Sequence, residues 1–491
     1  LHVSCRLTQA DTTMPIHSSN KPAGLPHDIG RSGPLLHRIS AVIASFSLLF
    51  LSAAAAIAFL PNAGRGAWDA TVYHEPLIRA LAGAWPRFDL RDPLSATTPG
   101  YHILLASLDV IGFDSSTSLR LASALIGATL IALLSAWCAR RVRPLDAFLL
   151  ALPIAASIYT FQSSAFVLPD NLAWIGVLVI LACCLRDPPG WKPIVAASVV
   201  LPALVFTRQV HLWAAAPIWL AAWLGVRQNT PFLFASPASR IPRTATAMAM
   251  TVPGFLVVGW FIQHWGGAVP PRFQSDMSGG NPATPAFILL QCAILAVGFG
   301  PWVLPGVLLL IRDHGRIALL ALAVGLLLAV TPDTTFDRDA GRYSGWWALA
   351  RITPDIGGRS NTAVVLFAPL GALIVAGSLA ASTHRARWTL LGTLVAFAAA
   401  QSATAYAWQR YHEPFLIMFF ALAAASQPSH LRRTLFVKVR VPAMLAFCAV
   451  LAWISLTAID GDPVEPGTNP PPMHTQPTDP WFEPSPGPTT S

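Results

Sequence analysis

Long apolar runs separated by short charged segments dominate the chain. Residues 41–60, AVIASFSLLFLSAAAAIAFL, give twenty consecutive uncharged positions, about the length that crosses a hydrocarbon core of about 30 Å. Comparable runs fall at 39–60, 118–139, 145–161, 170–185, 193–207, 210–226, 244–263, 285–311, 317–331, 361–381, 388–405, 414–430 and 441–459. The pattern predicts an all-α polytopic transmembrane helical bundle of about 11–13 spans across residues 39–459,. Within it, 193–226 reads as a hairpin or as one broken helix, because Pro202, Arg208, Gln209 and His211 interrupt it. An outer-membrane barrel is excluded, since its strands would alternate apolar and polar residues.

Composition strengthens this picture. Of 491 residues, 54% are apolar and 11% charged, against roughly 25% charged in a soluble domain. The net charge of +9 is distributed as a topology signal. Segments 1–40, 140–146, 186–192, 227–243, 312–316, 384–387 and 432–440 hold 20 of the 32 Lys and Arg but only five of the 23 acids. The positive-inside rule places them in the cytoplasm, so no nucleic-acid partner is implied. The six cysteines form no CxxC and no His/Cys cluster at metal spacing,. Residues 1–38 read as a disordered cytoplasmic tail. Residues 460–491 read as a disordered Pro-rich tail, with ten of the 43 prolines,. No fixed-period repeat supports a solenoid or an inverted-repeat transporter.

The segments predicted to lie outside, 61–117, 263–284 and 332–360, are long and rich in Asp, Arg, Gly and Trp. In the first, Pro76 suits a first helical turn, and Leu77, Ala80, Leu81, Ala84 and Trp85 follow at helical spacing,. A second apolar stretch, 101–113, is too short to span,. Both are expected to lie flat at the interface, holding Asp69, Glu75, Asp89 and Asp92 near the membrane surface.

These residues carry a resemblance. An acid just beyond the first span, a flat helix, a Pro-containing turn, another short helix and Leu119-Arg120-Leu121 opening a span resemble the layout of class C glycosyltransferases. More narrowly, Tyr73-His74-Glu75-Pro76, Asp92-Pro93 with ATTPGYH at 96–102, TRQVHLW at 207–213 and Trp265-Gly266-Gly267 resemble one group within that class. It comprises the alpha-1,2-glucosyltransferases that add the terminal glucose to the dolichol-linked oligosaccharide of asparagine-linked glycosylation, with their bacterial relatives. The resemblance runs loosely over 39–430. It departs where the family has an Asp-Glu pair, for this chain has Asp69-Ala70-Thr71.

The resemblance implies an integral membrane hexosyltransferase acting with inversion; short loops and Ala/Arg-rich spans favour the outer side of a bacterial inner membrane, with the lumenal side of an endoplasmic-reticulum membrane as the alternative. The sugar, glucose in the first instance, would come from a polyprenyl-phosphate donor that is a substrate rather than a cofactor. It would pass to a glycan or lipid-linked acceptor, with membrane lipid as the surroundings and without a metal. Transfer to protein or lipid A stands as an alternative within the enzyme class; a lipid or sugar transporter or flippase is the alternative from another class. An inverting transfer needs a carboxylate to take the hydroxyl proton and cations around the departing phosphate. Asp69 is the first choice as base, with Asp92 and Glu75 in reserve. Capping a helix or pairing with Arg65 is the plainer role for Asp69. Arg208 is expected at the carrier phosphate, or as a snorkelling anchor beside Trp213. Gln209, His74 and His211 are candidate binding groups, with hydrogen-bonded packing equally open for the histidines. Arg351 and Arg359, among the aromatics of 332–360, and Arg410, before a late span, complete the phosphate and sugar candidates, although a solvated interfacial loop with aromatic-belt residues is the plainer reading of 332–360.

Overall fold

The computed structural model describes residues 35–457 apart from 188–189, 226–237, 239 and 433–434. Both expected tails therefore lie almost wholly outside the described residues. Among the described residues the architecture is helical, with one two-residue antiparallel ladder pairing Asp355–Ile356 with Ser360–Asn361. The chain is a multi-pass helical membrane protein. Among the described residues, six helices are long and apolar enough to cross a bilayer, namely Leu35–Phe59, Ser116–Ala139, Arg240–Trp265, Thr284–Asp313, Thr362–Ala381 and the segment Phe436–Thr457. The pair Pro144–Ala156 and Ile158–Ala165, bent by 70° at Ser157, makes a seventh if counted as one span. Leu51, Leu256, Val297 and Val450 face outward from such helices, as expected when the solvent is hydrocarbon.

All thirteen apolar runs hold helix, yet by length the span count falls short of the expected 11–13. The reason is local. Asp170–Cys184, Trp191–Thr207 and Gln409–Ala425 have 15, 17 and 17 residues, so the longest reach about 25 Å at 1.5 Å per residue. Each stops where a charged or amide side chain enters: Asp170, Arg208 and Gln409. The region 193–226 is a broken helix, with a 3-10 turn over Gln209–Ala214 between Trp191–Thr207 and Ala215–Leu224.

Close helix packing builds the frame. A Cβ on Gly371 would lie 1.8 Å from the carbonyl oxygen of Leu289, so Thr362–Ala381 can approach Thr284–Asp313 only through a residue without a side chain. The three long loops gather at one end of the bundle. Trp265 donates from Nε1 to the Leu90 carbonyl at 2.7 Å, and Arg272 meets Asp92 at 2.9 Å. Asn281 donates to the carbonyls of Ala340 and Ala405 at 2.8 and 3.0 Å. Gly341, at φ +68°, lies so near Ala405 that a Cβ would fall 2.6 Å from its oxygen. Away from that end the basic segments meet, with Arg440 against Asp146 at 3.4 Å and Arg385 against Asp187 at 3.6 Å.

The two short helices expected in the first long loop form where the sequence predicts them, as Glu75–Gly83 with Pro76 in its first turn and as Gly100–Val110. Leu77, Ile78 and Leu81 are buried from the first, and Tyr101, His102, Leu105 and Ala106 from the second.

Candidate functional site

Four charged side chains from four separate segments form a chain of alternating sign at the loop-rich end. Asp69 closes the short helix Gly64–Asp69, Asp170 opens Asp170–Cys184, Arg208 follows Thr207, and Arg410 lies in the first turn of Gln409–Ala425. Arg410 Nη1 donates to Asp69 Oδ2 at 2.7 Å, and its Nη2 lies 3.9 Å from Asp170 Oδ2. Asp170 Oδ1 in turn accepts from Arg208 Nη1. The side chains of Arg208 and Asp170 are each only 9% exposed. Both guanidiniums lie over the ring of Tyr411, at 5.3 and 5.5 Å from its centre.

Asp69, Arg208 and Arg410 line a cavity of about 160 Å³ together with Arg65, Tyr73, His74, Gln209, Tyr406, Trp408 and Tyr411. An apolar cavity of about 150 Å³ admits a benzene ring, so the space suits one six-membered ring. Tyr406 stacks on Trp408 at 4.3 Å, Trp408 on Tyr411 at 5.6 Å, and Arg65 lies 5.2 Å from the Trp408 ring. Three guanidiniums, Arg65, Arg208 and Arg410, face two carboxylates, Asp69 and Asp170, for a formal charge of +1. Burial pushes the Tyr406 hydroxyl up to about 12, so it is protonated at neutral pH.

Local backbone irregularity helps to aim the groups. Residues Ala70–His74 form a π-helical turn between Asp69 and Glu75, a bulge that recurs at functional sites. At its end His74 Nδ1 lies 2.8 Å from His102 Nε2. Burial, the largest influence, lowers His74 from 6.5 to about 4, so it is neutral at pH 7; Asp69 and Asp170 oppose that shift, while Arg410 and Arg208 add to it.

The sequence candidates separate into those at the cavity and those away from it. Asp69, His74, Arg208, Gln209 and Arg410 line it. Asp69 makes no side-chain cap and is held by Arg410. Gln209 is a clip between loops, donating to the carbonyls of Ala96 and Ala268 at 2.8 and 3.1 Å and accepting from the Thr98 N–H at 3.0 Å. His211 is buried between Trp174 and Trp213, and both its ring nitrogens lack a hydrogen bond. Glu75 is engaged by Arg79 at 3.0 Å and by Ser116. Asp92 holds Arg272 at 2.9 Å. Arg351 is exposed on the short helix Trp347–Ile352, and Arg359, also exposed, donates to the Thr331 carbonyl. Thus His211, Glu75, Asp92, Arg351 and Arg359 do not line the cavity.

Sequence reasoning assigned no site role to Trp408 or His102 and did not pair Asp170 with Arg208; Tyr411, which follows Arg410 in the segment expected to close over the phosphate, does line the cavity. The signal for the Asp170–Arg208 pair was present: an Asp and an Arg each ending an apolar run, which burial obliges to find opposite charges. Among the described residues no group of three His, Cys, Asp or Glu is placed to hold a metal ion.

Fold and site together define a polytopic helical membrane protein with a charged, aromatic-walled cavity at its loop-rich end. Comparison of the chain with family models, curated proteins and solved structures found no match.

Proposed function

We propose that the cavity transfers a hexose, with inversion, from a polyprenyl-phosphate sugar to a hydroxyl of a glycan or lipid-linked acceptor on the outer side of the membrane. The observation that carries the reading is one carboxylate, Asp69, and two guanidiniums, Arg208 and Arg410, lining the same ring-sized cavity in a membrane protein. A prenyl-phosphate sugar is a phosphodiester with a single negative charge, which the formal +1 of the site complements.

In this reading the acceptor hydroxyl oxygen forms a bond to the sugar's anomeric carbon while the bond from that carbon to the phosphate oxygen breaks. The hydroxyl proton goes to Asp69, and the bonding pair leaves with the phosphate. Charge on the departing phosphate grows during the step, and Arg208, held beside Tyr411 by Asp170, is in place in advance of it,. Removal of Arg410 from Asp69 to the phosphate would free the carboxylate for the proton. The resemblance in residues 69–123 and 207–213 supports the same reaction class, with glucose as the first sugar to test.

The test is transfer itself. Protein reconstituted in liposomes would be incubated with radiolabelled polyprenyl-phosphate glucose, mannose and arabinose in the presence of extracted envelope glycans and lipid-linked oligosaccharides. The expected result is release of polyprenyl phosphate with label in an acceptor for one donor. Intact donors in all three arms, with folded protein, would overturn the reading; movement of intact donor across the bilayer would point to a flippase.

A further inference from the structure

His74 Nδ1 and His102 Nε2 stand 2.8 Å apart, in rings inclined by only 19°. One proton lies between them, and it belongs to one ring or the other. His102 is fully buried, and its second nitrogen, Nδ1, has no hydrogen-bond partner. If His74 donated, the neutral His102 would carry its proton on Nδ1, leaving a buried N–H with no acceptor. If His102 donates from Nε2, its Nδ1 is a bare lone pair. A sealed N–H without an acceptor is the rarer defect in proteins.

We infer that His102 is a positioning residue, which donates to Nδ1 of His74 and thereby fixes His74 as a neutral imidazole presenting Nε2–H to the cavity. With its Nδ1 lone pair engaged, a neutral His74 must hold its proton on Nε2, and in that form it donates to an oxyanion and does not act as a base. The groups facing His74 are Asp69, Asp170, Arg410 and Arg208, together with His102. Burial keeps both rings below the ordinary histidine range, His102 well below it. In the closed network Asp69 already has Arg410, so the fixed N–H is available for an oxygen of an incoming phosphate. This last role rests on the proposed function; the tautomer does not.

The tautomer is read directly by nitrogen-15 NMR of histidine-labelled protein at pH 7, with the His74 signals identified by their loss in His74→Gln. Protonated Nε2 and bare Nδ1 are expected; a proton on Nδ1 would overturn the inference. A second measurement uses the methyl ester of farnesyl phosphate, a phosphodiester whose charge does not change near neutrality. His102→Gln keeps a donor opposite Nδ1, so its affinity should stay flat with pH across about pH 5–8, as in the wild type. His102→Glu places an acceptor there, so His74 should gain a second proton in that range and bind the probe more tightly as the pH falls. A flat profile in folded His102→Glu would also overturn the inference. If the wild type has the expected tautomer but does not bind the phosphodiester, the phosphate reading of the cavity fails and the His102 assignment stands.

Discussion

Removal of Arg208 strands a carboxylate that is 9% exposed. Breaking a buried pair by deleting one partner costs about 3–5 kcal/mol. Arg410 Nη2 remains 3.9 Å from Asp170, so partial compensation places Arg208→Ala near the lower figure, about 3 kcal/mol. A chain of this length loses about 1–2 °C per kcal/mol by extrapolation from smaller proteins, so a fall of about 3–6 °C is expected. Cys138, Cys184 and Cys292 are buried and free, which allows melting to be followed with a thiol-reactive fluorophore. Replacing the pair by Arg208→Met with Asp170→Leu removes both charges and should recover most of the loss, because an apolar pair of similar size carries no desolvation cost. Arg208→Lys should fall between the two, since it keeps the charge but not the planar fork. Equal melting of Arg208→Ala and wild type would refute the buried-pair argument, as would a double variant no better than the single one.

Gly371→Val should destabilise by at least about 1–3 kcal/mol, because its side chain would collide with the Leu289 carbonyl, and should appear as early melting in the same thiol assay; an unchanged melt would remove close approach as the reason for that glycine. The Arg272 guanidinium, by hydrogen bonding, holds the Asp92 carboxyl below its ordinary 3.8. A lowered carboxylate contributes above its unfolded value and loses that contribution as the pH falls through the folded one. The tie between the first and second long loops should therefore persist at pH 6 and weaken below about pH 4, seen as faster amide exchange around residues 89–92, whereas Asp92→Asn should exchange quickly at both. For the topology, Leu90→Cys and Arg141→Cys should label from opposite faces of sealed vesicles; labelling from the same face would reject the proposed sidedness.

Much of the architecture is written locally. A run such as 41–60 needs no partner to declare itself helical in a membrane, and Pro76 followed by Leu77, Ala80 and Leu81 announces a flat amphipathic helix by spacing alone. The site is less legible because its contacts are distant: Asp69 and Arg410 are 341 positions apart. Sequence put Arg208 and Asp69 at the membrane edge but could not show that Arg410 ties them to Asp170. The arginines of 332–360 illustrate the converse. Arginine beside aromatics suggested phosphate contact, yet Arg359 holds a neighbouring carbonyl, while Tyr343 from the same loop packs against the cavity wall at Trp408, 5.7 Å between ring centres. Only six or seven of the described spans are long enough to cross by length alone, because an apolar run says nothing of the buried ion pair at its end, beside which a helix such as Asp170–Cys184 begins. The π turn at Ala70–His74 has no sequence signature that distinguishes it from ordinary helix.

The most direct test of the account is the single-turnover rate of polyprenyl-phosphate release from labelled donor, in wild type and Asp69→Asn, at saturating acceptor. A general base contributes roughly 10²–10⁴-fold, so Asp69→Asn should slow release by about that factor while the donor dissociation constant stays within about two-fold. Wild-type release that Asp69→Asn leaves intact, alongside a collapse in Asp170→Asn, Asp92→Asn or Glu75→Gln, would contradict the assignment of Asp69 and move the base to that residue.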